Sequence, residues 1–220
     1  MDDLRLVQTL SPNQEPRSKG GAVDILVLHY TDTVDAASAL EILCDPARKV
    51  SAHYLIEESG VIHSLVPESQ CAWHAGISFW DGATNINDRS IGIELVNPGH
   101  LNGYRPFPAV QIEALIALSK GILSRHKIPP QRVLGHSDVA PQRKKDPGEL
   151  FPWQRLAMES VAIWPNLVMQ RRTLSSIAIL QAKLAAFGYA VPQSGVLDDE
   201  TRHVVLAFQR RFRPYLLSGL

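Results

Sequence analysis

The sequence of 220 residues predicts an α/β domain followed by a small helical module, and three observations carry this prediction. Short apolar runs at residues 24–30, 91–96 and 133–134 are typical of strands that are buried on both faces of a sheet. Residues 109–126 keep the apolar spacing of an amphipathic helix. After residues 164–166 the apolar residues recur at helical intervals, which indicates a separate module.

The chain is expected to begin with an irregular lead-in over residues 1–22. This segment is polar and is interrupted by Pro12 and Pro16, so we expect it to wrap the core without building it. The catalytic domain is then expected over residues 23–168, and its first element is the first apolar run. His29 lies at the carboxyl end of this strand, where α/β proteins usually place their sites.

The middle of the chain alternates between helical and extended patterns. Residues 36–43 have a helix-like pattern, and residues 52–56 and 61–65 predict an antiparallel hairpin with Gly60 at its bend. Two consecutive prolines stop the helix at 109–126 before the last apolar run. Together these elements complete the predicted catalytic domain.

The accessory module is expected over residues 174–220. It begins with a helix from Ile177 to Phe187 that Gly188 caps, and a second helix covers residues 200–212 with acidic residues at its start. We interpret the basic run at the end of that helix, residues 209–213, as a solvated helix end. The apolar stripe of the two helices predicts the core of a mini-domain, and it consists of Leu180, Leu184, Phe187, Val205 and Phe208.

Composition excludes several classes of protein. Lys and Arg total 22, as do Asp and Glu, so the basic excess that binding to a phosphate backbone requires is missing. No apolar stretch approaches the ~20 residues of a membrane span, and residues 1–4 lack the basic-then-apolar build of a signal peptide. Cys44 and Cys71 are interpreted as two buried small hydrophobic residues, with a disulfide as the alternative.

The loop at residues 135–148 is the most informative segment for chemistry, because it places a histidine, lysines and aspartates between prolines and glycines. Combined with His29, it offers two imidazoles and one carboxylate, a ligand set that leaves the fourth position of a zinc ion open for water. Either Asp138 or Asp146 is a candidate for that carboxylate. Glu94 is the second unusual residue, since a carboxylate inside an apolar run usually has a proton or a cation to manage.

Residues 23–153 resemble the zinc-dependent N-acetylmuramoyl-L-alanine amidases of the type 2 amidase family, relatives of the peptidoglycan recognition proteins. The motifs that carry this resemblance are found at residues 27–31, 51–56, 72–76, 90–95, 135–138, 144 and 146–148. Residues 177–212 are similar to the three-helix peptidoglycan-binding module, through Leu180-Gln181, Leu184, Gly188-Tyr189, residues 195–198, Thr201 and residues 207–209. Both resemblances point to the same polymer.

The resemblance implies a central mixed sheet flanked by helices, with zinc bound by His29, His136 and Asp146. It selects Asp146 over Asp138, which would then bond local backbone amides. Glu94 is implied to take a proton from water and to deliver it to the leaving amine. Some relatives share this work with a tyrosine, but Ala52 stands at that position here.

The resemblance also implies further contacts with the substrate. Lys144, rather than its neighbour Lys145, is expected to stabilise the oxyanion. Aromatic planes can stack on sugar, backbone groups can bond the stem peptide, and arginine can pair with its carboxylates. Packing is the alternative for the residues near the groove, and His53 has the further alternative of orienting a metal ligand or the water. A solvated loop is the alternative for Asn85 and Arg89. The expected substrate-binding residues are His53, Trp73, His74, Ala75, Asn85 and Arg89.

The function that the resemblance implies is hydrolysis of the amide bond between the lactyl group of N-acetylmuramic acid and the L-alanine of the stem peptide. A binding-only recognition protein of the same fold and a zinc peptidase that cuts peptide cross-links are the alternatives. Peptidoglycan or muropeptides are the expected partners, and the bacterial cell envelope is favoured over the cytoplasm. Recycling of cytoplasmic anhydro-muropeptides is the other possible setting. The sequence does not indicate an oligomeric state.

Overall fold

The structure is a computed structural model that describes residues 5–18, 21–165 and 176–220. Its strands are β1 (Leu6–Gln8), β2 (Gln14–Pro16), β3 (Ile25–Tyr30), β4 (Tyr54–Ile56), β5 (Ile62–Ser64), β6 (Gln70–Ala72), β7 (Ser90–Leu95) and β8 (Val133–Gly135). Its α-helices are α1 (Ala36–Cys44), α2 (Gly99–Asn102), α3 (Ala109–His126), α4 (His136–Val139), α5 (Trp153–Met158), α6 (Ile177–Phe187) and α7 (Asp199–Phe212). Short 3-10 helices cover Asn87–Arg89 and Pro130–Arg132.

The central sheet has six strands in the order β1-β5-β4-β7-β3-β8. Strands β4, β7, β3 and β8 are parallel, whereas β5 and β1 run in the opposite direction, so the expected mixed sheet is confirmed. The expected hairpin is formed by β4 and β5, and Gly60 at its bend has a φ of +84°. Because β3 and β7 are parallel and in register, His29 is paired with Glu94.

Alternate residues of β3 pack into two hydrophobic clusters, one on each face of the sheet. Leu26 and Leu28 face helix α3 and share a buried cluster with its Leu115. Ile25 and Val27 face the opposite side and belong to a second cluster. The predicted burial of this strand on both faces is therefore confirmed, as its uninterrupted apolar run requires.

Helices α6 and α7 cover that second face of the sheet. Leu184 and Val204 pack in the same cluster as Ile25 and Leu134, so the core that the apolar stripe forms continues onto the sheet, which was not predicted. The physical reason is that β3 and β8 present apolar residues on this face, and helical spacing alone does not reveal what a helix packs against. Residues 176–220 contain two of the three helices that the resemblance implies, and residues 166–175 lie outside the described residues.

The expected irregular lead-in contributes to both sheets, so that expectation was also wrong. Strand β1 pairs in parallel with β5 at the edge of the central sheet, and β2 pairs with β6 to form a separate two-stranded sheet. The side chain of Asn13 donates to the backbone oxygens of Asp45 (2.9 Å) and Val50 (2.8 Å). Strands of three residues with exposed side chains carry little apolar pattern, which is why the sequence did not predict them.

Two further features concern the class of protein. Cys44 and Cys71 are both free thiols; Cys71 is buried as expected, whereas Cys44 is only half-buried. Among the helices of the described ranges, none combines the length and the apolar character that crossing a bilayer demands.

We expect Leu115→Ala to lower the free energy of unfolding by about 2–5 kcal/mol, because it opens a cavity in the core between α3 and the sheet. Val110→Ala is the matched control, since Val110 lies on the same helix and is 48% exposed. Denaturant unfolding of both variants would measure the difference. Equal losses of stability in the two variants would contradict the assigned core.

Candidate metal centre and active site

The candidate site lies at the carboxyl edge of the central sheet. His29 is near the end of β3, Glu94 is its register partner on β7, and His136 directly follows β8. Asp146 comes from the loop after α4 and reaches the same point. Since parallel strands end at the same edge, three chain segments that are far apart in sequence meet here.

Three side-chain atoms converge at the centre of this site. His29 Nδ1 lies 2.9 Å from His136 Nδ1 and 3.1 Å from Asp146 Oδ2. His136 Nδ1 is 3.0 Å from the same carboxylate oxygen. All three residues are buried, and within the described part of the chain they form a group that could hold a metal ion. The predicted trio is therefore brought together by the fold.

The proton on His136 can be assigned from its surroundings. Its Nε2 lies 3.1 Å from the backbone oxygen of Ala75, which can only accept a hydrogen bond. Nε2 must therefore carry a proton and donate. When the ring carries no second proton, the lone pair of Nδ1 faces the centre of the site.

The proton on His29 can be assigned through a chain of three hydrogen bonds. The hydroxyl of Ser90 donates to the backbone oxygen of Ile86 (2.6 Å), so its oxygen accepts from Nε2 of His74 (3.1 Å). Burial keeps the pKa of His74 well below its ordinary value, so the ring is neutral and its Nδ1 accepts from Nε2 of His29 at 3.0 Å. Burial likewise lowers the pKa of His29 to about 4. The lone pair of His29 Nδ1 therefore also faces the centre.

These assignments place two nitrogen lone pairs and one carboxylate oxygen around a single point. Electron pairs that face one another repel unless a positive charge lies between them. A proton can bridge only two of the three atoms well, whereas a metal ion can bond all three. Tetrahedral zinc with bonds of about 2.0–2.2 Å would place its ligand atoms about 3.3 Å apart. The observed spacings of 2.9–3.1 Å are close to this value, so the residues fit a zinc-like ion.

Gly92 explains how His74 reaches its position behind His29. A Cβ atom built on Gly92 would lie 2.4 Å from the His74 ring, which is closer than side chains approach. The backbone of Gly92 is in a strand and not in the left-handed region, so space rather than conformation requires the glycine. The glycine of the strand motif thus makes room for the ring that fixes the proton of His29.

Glu94 and Lys144 line a cavity of about 360 Å³ next to the three converging atoms. Burial raises the pKa of Glu94 well above its ordinary value, Asp146 adds to this rise, and the charge of Lys144 opposes it. Oε2 of Glu94 is buried without a hydrogen-bond partner among the described residues. A buried carboxyl with a free oxygen and a raised pKa has the properties of a group that exchanges a proton. Lys145 lines the same cavity but is more exposed than Lys144.

Comparison with known families agrees with this site. Residues 19–149 match the family model described as N-acetylmuramoyl-L-alanine amidase, and residues 173–214 match a model of a peptidoglycan binding domain. The chain belongs to the N-acetylmuramoyl-L-alanine amidase family. It is thus a member of a family of enzymes.

Curated relatives support this membership across most of the chain. N-acetylmuramoyl-L-alanine amidase AmiD of Escherichia coli K12 is 44% identical over 217 residues, which cover 90% of this chain and 77% of that protein. The 1,6-anhydro-N-acetylmuramyl-L-alanine amidase AmpD of Haemophilus influenzae is 42% identical over 173 residues, which cover 70% of this chain and 91% of that protein. The first alignment therefore extends beyond the amidase domain.

Solved structures of amidases have the same architecture. The complex of Escherichia coli AmiD with anhydro-N-acetylmuramic acid-L-Ala-D-γ-Glu-L-Lys has a TM-score of 0.80 at 40% identity, covering 92% of this chain and 86% of that one. AmpDh3 of Pseudomonas aeruginosa, in complex with an anhydromuramic pentapeptide, has a TM-score of 0.82 at 35% identity, covering 92% and 89%. Both structures were solved with a muropeptide bound.

Asp138, the alternative metal ligand, points away from the amidase site. Its Oδ2 accepts from the backbone N–H of Gly135 at 2.8 Å and from the guanidinium of Arg211 at 2.8 Å. Its Oδ1 accepts from the hydroxyl of Tyr189. The expected bond to a local backbone amide is found, and the contacts with Arg211 and Tyr189 were not predicted.

Three of the expected substrate-binding residues do not line the amidase cavity. His53 is fully buried; Gly92 N–H donates to its Nδ1 (2.9 Å), and its Nε2 contacts the oxygen of Gln70 (3.2 Å). Ala75 is also fully buried, and its oxygen accepts from His136. The indole of Trp73 donates to Glu15 of the lead-in at 3.1 Å. These three residues lie outside the cavity lining, and their contact with substrate stays a prediction.

His74, Asn85 and Arg89 also have positions that differ from the expectation. His74 borders the cavity, but both of its ring nitrogens are bonded behind the metal centre. Asn85 is exposed and outside the cavity lining. Arg89 pairs with Asp24 at the amino end of β3, the edge of the sheet opposite to the site. The sequence around Arg89 does not show that Asp24, which is distant in sequence, lies close enough to pair with it.

Asn87 is a positioning residue that sequence reasoning missed. Its side-chain oxygen accepts from the backbone N–H groups of His74 (3.1 Å) and Ala75 (2.7 Å). These two residues in turn hold the outer nitrogens of His29 and His136. The motif that contains His74 and Ala75 therefore shapes the metal centre from behind, and Asn87 fixes the backbone of that motif.

We expect Gly92→Ala to weaken metal binding at this site about 10–100-fold, with zinc as the probe, because the new methyl group displaces the His74 ring that contacts His29. Gly121→Ala is the matched control, since its new Cβ would meet only the flexible end of Arg125 at 3.0 Å. Competition with a chromophoric chelator would measure both affinities. Unchanged zinc affinity in a folded Gly92→Ala variant would show that His74 does not support His29.

Proposed function

We propose that this chain is a zinc-dependent hydrolase that cleaves the amide bond between the lactyl group of N-acetylmuramic acid and the L-alanine of peptidoglycan stem peptides. His29, His136 and Asp146 would bind the zinc ion. The observation that carries this proposal is the convergence of two imidazole nitrogens and one carboxylate oxygen, which lie 2.9–3.1 Å from one another. A bound zinc ion supplies a Lewis acid that polarises a carbonyl and acidifies water.

Glu94 is the proposed general base and general acid. Its unpaired buried oxygen and its raised pKa suit a carboxyl that takes a proton from the attacking water and delivers it to the leaving nitrogen of L-alanine. Ala52, which is fully buried, offers no hydroxyl to share this task. Each catalytic cycle returns Glu94 to its starting state, since the proton taken from water leaves with the amine.

Lys144 is the proposed stabiliser of the negative charge that develops on the carbonyl oxygen. It lines the cavity beside Glu94, and its charge acts on the pKa values of both Glu94 and His29. No such effect of the more exposed Lys145 is found at Glu94, which favours Lys144 for this role. Removal of one comparable donor elsewhere costs about 2.7–4 kcal/mol of transition-state stabilisation.

The rest of the cavity suits an acidic muropeptide. Arg143, Lys144 and Lys145 line its entrance with one exposed acidic residue, Asp32, so positive charges outnumber negative ones there. Arg143 donates to the backbone oxygen of Ala75 at 3.1 Å, which fixes the guanidinium at the rim. Arginine pairs well with carboxylates, and peptidoglycan stem peptides carry several of them. The bound muropeptides of the AmiD and AmpDh3 structures support the same substrate class.

We further propose that the protein acts on peptidoglycan in the bacterial cell envelope. The match of residues 173–214 to a peptidoglycan binding domain and the similarity to AmiD support this setting. The relatives called AmpD act on 1,6-anhydro-muramyl compounds by name, so recycling of anhydro-muropeptides is a second candidate. The relative rates on two substrates decide between these settings.

The experiment that tests the activity is a digest of purified sacculi and of soluble anhydro-muropeptides, with and without a chelator. Mass spectrometry would follow free peptides that begin with L-alanine. Their release, and its loss with the chelator, is the expected result. Faster release from sacculi would favour the envelope, and faster release from soluble muropeptides would favour recycling. Zinc-loaded protein that frees no peptide from either substrate would make a binding-only protein the better account, whereas cleavage within the peptides would identify a peptidase.

We expect Glu94→Gln to lower kcat about 10²–10⁴-fold, because the amide cannot accept the proton of water. Zinc content should stay equal to that of the wild type, since Glu94 is not one of the three converging residues. Glu113→Gln, on the exposed side of α3, is the matched control. Initial rates of peptide release at saturating muropeptide would measure kcat, and a Glu94→Gln variant with wild-type kcat would refute the assignment.

A further inference from the structure

The end of helix α7 places an arginine inside the catalytic domain. Arg211 is 1% exposed and belongs to the largest fully buried side chains of the described residues. The interpretation of residues 209–213 as a solvated helix end was therefore wrong, since Gln209 and Phe212 are buried as well and only Arg213 is exposed. A buried guanidinium is costly unless it is paired and hydrogen-bonded, so its partners show what it is for.

The partners of Arg211 lie on both sides of the metal ligand His136. Nη1 donates to the carboxylate of Asp138 at 2.8 Å, and Nη2 donates to the backbone oxygen of Val133 at 2.8 Å. The guanidinium also stacks on Trp153 of the catalytic domain, 4.5 Å from the ring centroid. One rigid planar group therefore joins the start of β8 to the turn that follows it.

Asp138 passes this restraint to the backbone that carries His136. Its side chain accepts from Gly135 N–H at 2.8 Å, which closes the turn between β8 and α4 around His136. Tyr189, also from the C-terminal module, donates its hydroxyl to the other oxygen of Asp138. Every contact of this carboxylate thus comes either from the turn itself or from the module.

We propose that Arg211 and Tyr189 are positioning residues of the metal centre, so that the C-terminal module is part of the metal site as well as a domain that contacts the polymer. This inference rests on the proposed zinc-dependent function. Metal ligands need to be held within about 0.5 Å of their productive positions, and the groups that hold them determine affinity. His136 has its own bonds to Ala75 and Asp146, and the module fixes the turn from which it projects.

The test compares zinc affinities of full-length variants by competition with a chromophoric chelator, together with the visible spectrum of the Co²⁺-substituted protein. Tyr189→Phe removes one hydroxyl and keeps a ring that packs edge-on against Trp80, so it serves where Arg211→Met fails to fold. Arg202→Met is the control, because Arg202 is exposed on the same helix. We expect Tyr189→Phe and Arg211→Met to weaken zinc binding about 10–100-fold and to shift the Co²⁺ bands.

A double-mutant cycle identifies the route of the effect. If Arg211 acts through Asp138, the variant that combines Asp138→Asn with Arg211→Met should lose no more zinc affinity than the stronger of the two single variants. Lower melting temperature with unchanged zinc affinity and unchanged Co²⁺ spectrum in Tyr189→Phe and Arg211→Met would overturn the inference and leave a purely stabilising interface. Wild-type protein that binds zinc but frees no peptide would refute the proposed activity alone, because these readouts do not depend on turnover.

Discussion

Three lone pairs meet at one point between the carboxyl ends of β3 and β8, and such a meeting is repulsive unless a cation occupies the point. The two imidazole rings stay in this arrangement because hydrogen bonds at their outer nitrogens prevent their rotation. Ala75 holds the outer nitrogen of His136, and His74 holds the outer nitrogen of His29. Both restraints come from one short segment, and Asn87 fixes its backbone with two hydrogen bonds. We therefore expect the metal affinity of the centre to depend strongly on groups that do not contact the metal.

The parallel register of the sheet explains how the proposed catalytic carboxyl comes to lie beside the metal centre. His29 and Glu94 are register partners on β3 and β7, so the spacing between neighbouring strands sets their separation. Gly92, two residues before Glu94, lies on the same face and accommodates the His74 ring. One face of β7 thus carries both Glu94, the proposed proton-transfer group, and Gly92, which leaves space for the His74 ring behind His29. Its other face contributes Ile91 and Ile93 to the core beneath α3.

The sequence predicted those parts of the structure that repeat or that match a family motif. Strand β3, helix α3 and the hairpin follow from spacing and from Gly60, and the trio of His29, His136 and Asp146 follows from the family pattern. Contacts between distant segments could not be predicted in this way. Arg211 looks like part of a basic helix end, and only the packed structure shows that Asp138 lies 2.8 Å from it. Arg89 was predicted to be near the substrate, but Asp24, which is 65 residues away in sequence, pairs with it at the opposite edge of the sheet.

The site therefore has two parts with different physical properties. We call the residues behind His29 and His136, which include His74, Ala75 and Asn87, the rear wall, and the open side of the cavity the entrance. The rear wall consists of buried or half-buried groups that are hydrogen-bonded, so we expect a change there to alter the positions of the proposed metal ligands and hence the metal affinity. The entrance carries the charged side chains of Arg143, Lys144 and Lys145 around an open cavity, where long side chains can adapt to a polymer of variable shape. Changes at the entrance should act on substrate binding or on transition-state charge while the metal remains bound. The C-terminal module belongs to the rear wall through Arg211 and Tyr189, which separates its structural contribution from any contact that its outer surface makes with glycan.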